Sequence, residues 1–509
     1  MVRPDTWSAI DGLGRMLPEN AQAGSPRERF VGMFFWTWHN LHDNPDSAVN
    51  RAWQTPIRGR GTVNMNRVME ESPEAKNDYY HPAWQGMGSG NGSGCGHWNE
   101  PVYGYYYSDD EWVLRRQAEM LANAGVDAVI FDNTNGEDTW ESGYMALGRV
   151  FSRAKKDGVN VPGMAFLLPL HYPYNPKNGE NNRKQLRELY EKMYRPGLFR
   201  DVWFYWKGKP LVMGYPDALN PDDPLDREIL EFFTFRPCQP SYYTGQIRTP
   251  MWGWLSLYPQ KVYTNPDGTP EEISVGVAQN TNPYATVAQK PSVMNGYGVF
   301  GRSYTSRGFD PRPDSKLWGA NFQEQWDYAL QVDPEFVFVT GWNEWISGHC
   351  PVRCDVPNGL SDEFDDEHSR DLEPSRGDLK DHYYYQLCAN IRRFKGVSRP
   401  ADASSAAALN LNSTARQWEE MGTAFADYRK DLSPRDAQGY YHYTSDTGRN
   451  AVTLSRGEPR CGISVFRGQL PERYHACGLR ELDAAADPYP SGRAHMGRLP
   501  LYRQPEQSF

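Results

Sequence analysis

From about residue 30 to residue 395, short apolar runs alternate with amphipathic or irregular segments. The runs "FVGMFFWTW" (30–38), "VDAVIFDN" (126–133), "VPGMAFLLPL" (161–170), "DVWFYW" with "KPLVMGYP" (201–216), "EFFTFRP" (231–237), "EISVGVAQN" (272–280) and "EFVFVTGWNEW" (335–345) are rich in β-branched and aromatic residues and read as strands. Helical patterns lie between them. In "SDDEWVLRRQAEMLANAG" (108–125), Ser108 or Asp109 offers an N-cap, acidic residues occupy the first turn and Gly125 ends the helix. Its apolar positions Trp112, Leu114, Met120 and Leu121 recur at roughly helical spacing. Strands alternating with helices predict βα units, and seven or eight such units closing on themselves make a (β/α)8 TIM-type barrel. An open doubly wound sheet would carry a glycine-rich turn after its first strand. The glycines of "GMGSGNGSGCG" (86–96) follow no strand and open no helix, so they read as a flexible loop and not as a phosphate cradle.

The pattern changes near "YYYQLCANIRRFKG", a helix-like segment closing at Gly396. Residues 1–396 are therefore the expected barrel, and 397–415, rich in Pro, Ala and Ser, the expected linker. Residues 416–449 carry turn signals and read as the start of an incomplete β-rich module. From residue 450 apolar periodicity is weak, and nine arginines fall between Arg449 and Arg503 with no lysine after Lys430. This tail, 450–509, is expected to be frame-shifted or otherwise unselected sequence, or disordered.

Charge and composition narrow the function. The 54 Lys and Arg against 64 Asp and Glu give a net charge of -10, and no basic run is long enough to track a phosphate backbone, so no nucleic-acid partner is expected. No window approaches the roughly 18 to 20 consecutive apolar residues of a membrane span. The N-terminal stretch lacks the basic-then-apolar layout of a secretory signal, which leaves localisation open: cytoplasmic as given, or exported with the leader missing. Seven cysteines scattered over the chain indicate no disulfide framework. In "HCPVRC", His349, Cys350 and Cys354 lack a second ligand pair at zinc spacing, so they read as loop cysteines or a local disulfide, and no metal or cofactor is expected. Aromatic residues make up 14% of the chain, with 17 Trp and 31 Tyr, and flat aromatic faces pack well on sugar rings. That tilts the expectation towards a carbohydrate partner.

In a barrel the reactive groups stand at the C-terminal ends of the strands. Glu344 fits best: the apolar run "FVFVT" leads to Asn343 and Glu344, bracketed by Trp342 and Trp345. A carboxyl there can move a proton during glycosidic cleavage, Asn343 can bond a sugar hydroxyl, and the indoles can desolvate the acid and stack on sugar. The structural alternative is a glutamate that caps a loop or pairs with Arg353. Asp132 ends "DAVIFD" and is followed by Asn133, although Asp and Asn after a strand often only turn the chain. Trp36, Trp38 and His39 close the first strand, and His171 with Tyr172 the third; these are candidate sugar contacts or satisfied structural groups. The acidic run "SDEFDDEHSRDLEP" (361–374) lacks the spacing of an EF-hand loop and reads as solvated, with Glu373 set apart by Leu372 and Pro374 beside the closing helix.

"TGWNEW" on a late strand, the following "LEP" and the helix with "YYYQLCANIRRFKG" together resemble the glycoside hydrolase family 99-like proteins and the related WbsX-like group from polysaccharide gene clusters. With "HPAW" and the strings around residues 104–136 and 321–345, the likeness extends over roughly residues 5–448. It implies a (β/α)8 barrel, export, and retaining hydrolysis of α-mannosidic or similar bonds, in which a glutamate at the position of Glu344 assists attack by the sugar's own 2-hydroxyl. The family's second acid comes three residues later, where this chain has Ser347. That leaves Glu373, which matches the "EP" element, with Asp132 and Glu137 as rival proton donors. The expected function is glycoside hydrolysis of a polysaccharide or oligosaccharide by carboxylate acid/base catalysis. The alternatives are a non-catalytic carbohydrate-binding barrel, which Ser347 would suit, and a polysaccharide-biosynthesis protein.

The division of the chain carries its own prediction. Limited proteolysis is expected to preserve the segment ending near residue 396 and to degrade 400–509; a stable folded fragment of 400–509 would contradict it.

Overall fold

The computed structural model describes residues 7–39, 63–84, 88–90, 93–170, 176–239, 245–279, 295–296, 298–398, 440–444 and 451–455, with backbone alone for 88–90, 93–95 and the last two segments. The chain divides into two compact units, Met1–Arg399 and Pro400–Phe509.

The first unit is a mixed α/β structure around a nine-stranded sheet that curls in the manner of a TIM-type barrel. Seven strands are parallel: β1 (Phe30–Phe35), β2 (Ala128–Asp132), β3 (Gly163–Leu167), β4 (Lys209–Met213), β5 (Thr234–Phe235), β6 (Pro270–Gly276) and β7 (Phe336–Thr340). Their spatial order is β5-β4-β3-β2-β1-β7-β6, a ring cut between β5 and β6. Short antiparallel strands, Tyr205–Trp206 on β4 and Val262–Thr264 on β6, flank it. Each of the seven apolar runs in the sequence supplies one parallel strand.

Alternation along the strands separates two faces. Val31, Met33 and Phe35 of β1, with Val129, Phe166, Val275 and Val339, pack outward against the helices. Phe34, Ile130, Leu167, Met213 and Phe338 face a second cluster that also holds Trp206, Cys238 and Trp252. This second cluster is the interior that a curled sheet encloses. Both faces are buried, so the strands read as nearly continuous apolar runs.

A complete (β/α)8 ring is not formed among the described residues. Between β5 and β6 a single parallel bridge, Cys238 to Trp252, stands where a further strand would lie. Side chains span the seam. Arg236, beside β5, reaches Glu271 of β6 at 2.6 and 2.9 Å, and the indole N–H groups of Trp206 and Trp252 each donate to the same carboxylate at 2.9 Å. Burial pushes the Glu271 pKa up, but Arg236 and the indoles outweigh it and hold the group below its ordinary value.

The helices that position the site are α1 (Glu111–Ala124), α2 (Glu141–Lys156), α3 (Pro176–Leu189), α4 (Pro224–Phe232), α5 (Ala320–Val332) and α6 (His382–Lys395). The N-cap of α1 is Asp110, which accepts from the amides of Trp112 and Val113, and not Ser108 or Asp109. Gly125 closes it at a φ of 87°, where a side chain would be strained. Trp112 is 43% exposed and lies off the buried stripe, which runs through Val113, Leu114, Gln117 and Leu121.

After β7 the chain does not go straight into a helix. Ile346–Arg353 and Val356–Ser361 form a hairpin that joins Ser93–His97 and Gly88–Gly90 in a second, antiparallel sheet. Cys350 is therefore in a strand, and both Cys350 and Cys354 are free thiols, so the local disulfide is not formed. The acidic run that follows is not a solvated loop: Glu363, Asp366, Asp371 and Glu373 are all buried.

In the second unit Tyr440–Thr444 pairs antiparallel with Ala451–Ser455. This pairing crosses the boundary placed at residue 450 from sequence. The expected linker lies outside the described residues apart from Val397 and Ser398.

Removing the seam's cation would leave Glu271 buried without a counter-charge. Arg236→Ala is expected to destabilise the protein by about 3–5 kcal/mol. A denaturant midpoint close to wild type would show that the seam is closed by other contacts.

Candidate active site

Glu344 follows β7 by four residues, and the intervening chain is stitched to β1. The Trp342 amide donates to Phe34 O at 2.9 Å. The Asn343 side chain accepts from the Trp36 amide at 2.8 Å and donates to Trp36 O at 3.1 Å and to the Tyr106 hydroxyl at 3.3 Å. These contacts use both ends of the Asn343 amide on the scaffold, so it is not offered to a sugar. The bracketing tryptophans are also turned inward. Trp342 and Trp345 are fully buried; Trp345 stacks on Trp98 at 4.5 Å and donates to Glu373. The motif therefore fixes the backbone that carries Glu344 and contributes a single side chain, Glu344 itself, to the half-buried surface.

The cation beside Glu344 is Arg370, not Arg353: its Nη2 lies 2.9 Å from Glu344 Oε2. The backbone amide of Glu344 donates to Asp371 at 2.7 Å. Burial raises the Glu344 pKa well above its ordinary value, Arg370 opposes the shift, and the charges of Asp362, Asp371 and Asp132 add to it. Asp132, at the end of β2, is pushed up to about 6, chiefly by burial and also by Asp362; its bonds from Thr134 and the Trp36 indole oppose the rise. Glu344, Asp132 and Asp362 thus feel one another's charge. Asp362 was visible in the sequence only as one letter of an acidic run, because its place depends on the hairpin that precedes it.

Glu373 is brought close to the motif but not into this group. It is 3% exposed and accepts from the Tyr106 hydroxyl at 2.6 Å, from Gln117 at 2.8 Å and from the Trp345 indole. Burial raises its pKa to about 7 against those three bonds. It is an internal anchor joining α1, the motif and the segment before α6. Glu137 is a surface group, 2.7 Å from Lys184, which holds its pKa low. Ser347 is buried and donates to Ser361 O at 2.9 Å and to Glu363 O.

The other predicted sugar contacts divide. Trp36 is buried and stacks on Trp38 at 5.1 Å, and Trp38 stacks on Trp140 at 4.9 Å. Trp38 and Trp140 are both partly exposed beside Asp132, whose carbonyl accepts from the Trp38 indole at 3.0 Å. Trp140 was not singled out from sequence, since it precedes a helix and not a strand end. His39 is buried against Trp36 and Tyr106, and desolvation followed by the neighbouring His97 holds its pKa well below the ordinary value. It is a neutral core histidine. Asn133 is fully buried and donates to Asp138 O, a turn contact. His171 and Tyr172 lie outside the described residues. Among the described residues no group of three or more His, Cys, Asp or Glu is arranged to hold a metal ion.

No protein-family model matches the chain, and no curated protein matches it. Among solved structures it is similar to a GH99 endo-alpha-mannosidase from Bacteroides thetaiotaomicron in two structures, one of them a complex with bis-tris-propane. The identities are 13% and 11%, with 73% of this chain and 98% of that chain covered in each case and TM-scores of 0.41 and 0.40. A glycoside hydrolase-like protein is similar at 13% identity over 74% of this chain and 99% of that one, with a TM-score of 0.37.

The Glu373 environment predicts a pH dependence. Its folded-state pKa, about 7, lies above the ordinary 4.5, so the protonated group contributes stability that is fully present below about pH 4.5 and lost as pH rises through about 7. The stability of wild type relative to Glu373→Gln is expected to fall across that window, at up to roughly 1.4 kcal/mol per pH unit. Urea unfolding at intervals from acid to neutral pH checks it; a pH-independent difference would mean that Glu373 takes up no proton on folding.

Proposed function

We propose that the protein is a glycoside hydrolase that cleaves glycosidic bonds in a polysaccharide or oligosaccharide by carboxylate acid/base catalysis. The observation that carries this reading is the Glu344 carboxyl, held at the end of β7 in a buried, acid-rich setting that raises its pKa well above the ordinary carboxylate value against the pull of Arg370. A carboxyl whose pKa is raised by burial and neighbouring acids holds its proton more tightly than a free one and can give it to a glycosidic oxygen. Asp132, ionised above about pH 6, offers negative charge for the positive charge that develops at the anomeric carbon. The partly exposed Trp140, stacked on Trp38, supplies an aromatic surface for a sugar ring near these groups. The resemblance of the "WNEW" and "LEP" elements suggests an α-mannoside-like linkage as the first to try.

One observation favours a second reading. Ser347 spends its hydroxyl on Ser361 O and Glu363 O and presents no acid, as in a barrel that binds sugar without cleaving it. Hydrolysis of a panel of bacterial and plant glycans, with binding measured in parallel, separates the two. Wild type is expected to release sugar, and Glu344→Gln to bind with turnover reduced by about 10²–10⁴-fold. Binding by both proteins with no turnover on any glycan would establish the non-catalytic reading instead.

A further inference from the structure

We propose that Asp362 is a catalytic carboxylate of this site, held near Glu344 by the hairpin that begins beside Glu344 and ends beside Asp362. The assignment rests on the glycosidase reading and adds a residue that the strand-end rule cannot find, because Asp362 ends no strand of the curled sheet.

The geometry begins with the ladder of the hairpin. Gly348 pairs with Ser361, so the returning strand delivers Asp362 alongside the start of the outgoing one, two to three residues from Glu344. Two groups then fix it there. The Ser347 hydroxyl donates to the carbonyls of Ser361 and Glu363, on either side of Asp362. Arg370 Nη1 donates to Asp362 O at 2.7 Å, while Nη2 of the same guanidinium holds Glu344 at 2.9 Å. One rigid planar group thereby sets the Asp362 backbone and the Glu344 carboxyl in a fixed relation. The residues on both sides of Asp362 are buried, yet Asp362 is half exposed. Its charge reaches both Glu344 and Asp132.

The buried Trp36 indole lies beside the Asp132 carboxyl and lowers its pKa, so the end of β1 helps to fix the second acid near Glu344.

In the step this supports, Glu344 gives its proton to the glycosidic oxygen as the bond from that oxygen to the anomeric carbon breaks and the electron pair leaves with the oxygen. Water adds to the anomeric carbon, and its proton passes to the Asp362 carboxylate. Proton exchange with solvent restores both groups, and the net change is one water added across one glycosidic bond.

The test is Asp362→Asn. Asp362 has a φ of 64°, and Asn tolerates that left-handed backbone nearly as well as Asp, so the turn should survive the change. On a glycan that wild type hydrolyses, the variant is expected to lose about 10²–10⁴-fold in kcat with KM little changed, and added azide or formate is expected to restore part of the rate. Wild-type kcat in the variant overturns the assignment, and so does a loss that neither anion restores, which marks a scaffold residue. Activity that is abolished by Glu344→Gln but untouched by Asp362→Asn overturns this assignment alone. If wild type hydrolyses nothing on the panel, the glycosidase reading fails and the assignment fails with it.

Discussion

The Arg370 guanidinium is the interaction on which the rest of the site depends. It lies among Glu344, Glu363 and the Asp362 backbone, and its own amide donates to Glu363 at 3.1 Å. Carboxyls packed this closely cannot all ionise, and one cation compensates only part of their charge. Burial and mutual repulsion therefore raise both Glu344 and Glu363 well above their ordinary values. The same guanidinium joins two parts of the chain, the end of β7 and the return of the hairpin, that would otherwise be set by loop geometry alone.

Around that centre the aromatic residues do two different jobs. Trp342, Trp345 and Trp98 are fully buried and act through packing and through the bond from Trp345 to Glu373. They keep the backbone of the motif rigid, which holds Glu344 in place. Trp38 and Trp140 are partly exposed, with Trp38 stacked on both Trp36 and Trp140. Asn343 belongs with the first group, since its amide is consumed in tying β7 to β1. A motif that looks from its letters like a row of sugar contacts is mostly the mounting for one carboxyl.

The curled sheet and its seam follow a similar division of labour. Backbone ladders join seven parallel strands, while side chains from Arg236, Glu271, Trp206 and Trp252 bridge the remaining gap. Phe336 and Phe338 pack in the interior cluster, and direct ladders from β1 to β2 and to β7 bring the ends of these three strands together. Glu344 and Asp132 stand on strands separated by β1, so their encounter is a property of the sheet and not of either strand.

The sequence by itself determined the seven parallel strands, the closing helix ending at Gly396, and the placing of Glu344 and Asp132 at strand ends. These are short-range properties: apolar runs buried on both faces need no distant partner to be legible, and a polar residue that stops such a run is visible in one line of text. Tertiary structure decided which side chains face outward. Trp342, Trp345, Asn343, Asn133 and His39 were read as contacts and are buried, because burial depends on what packs behind a residue. Glu373 was read as an acid facing the substrate and is an internal anchor, because its partners Tyr106 and Gln117 come from more than 250 positions away along the chain. Arg370 as the partner of Glu344, the hairpin that follows it and the placing of Asp362 were not readable at all. The hairpin is local but carries no clear strand alternation, and the Arg370 pairing and the placing of Asp362 arise only once that hairpin has folded back beside Glu344.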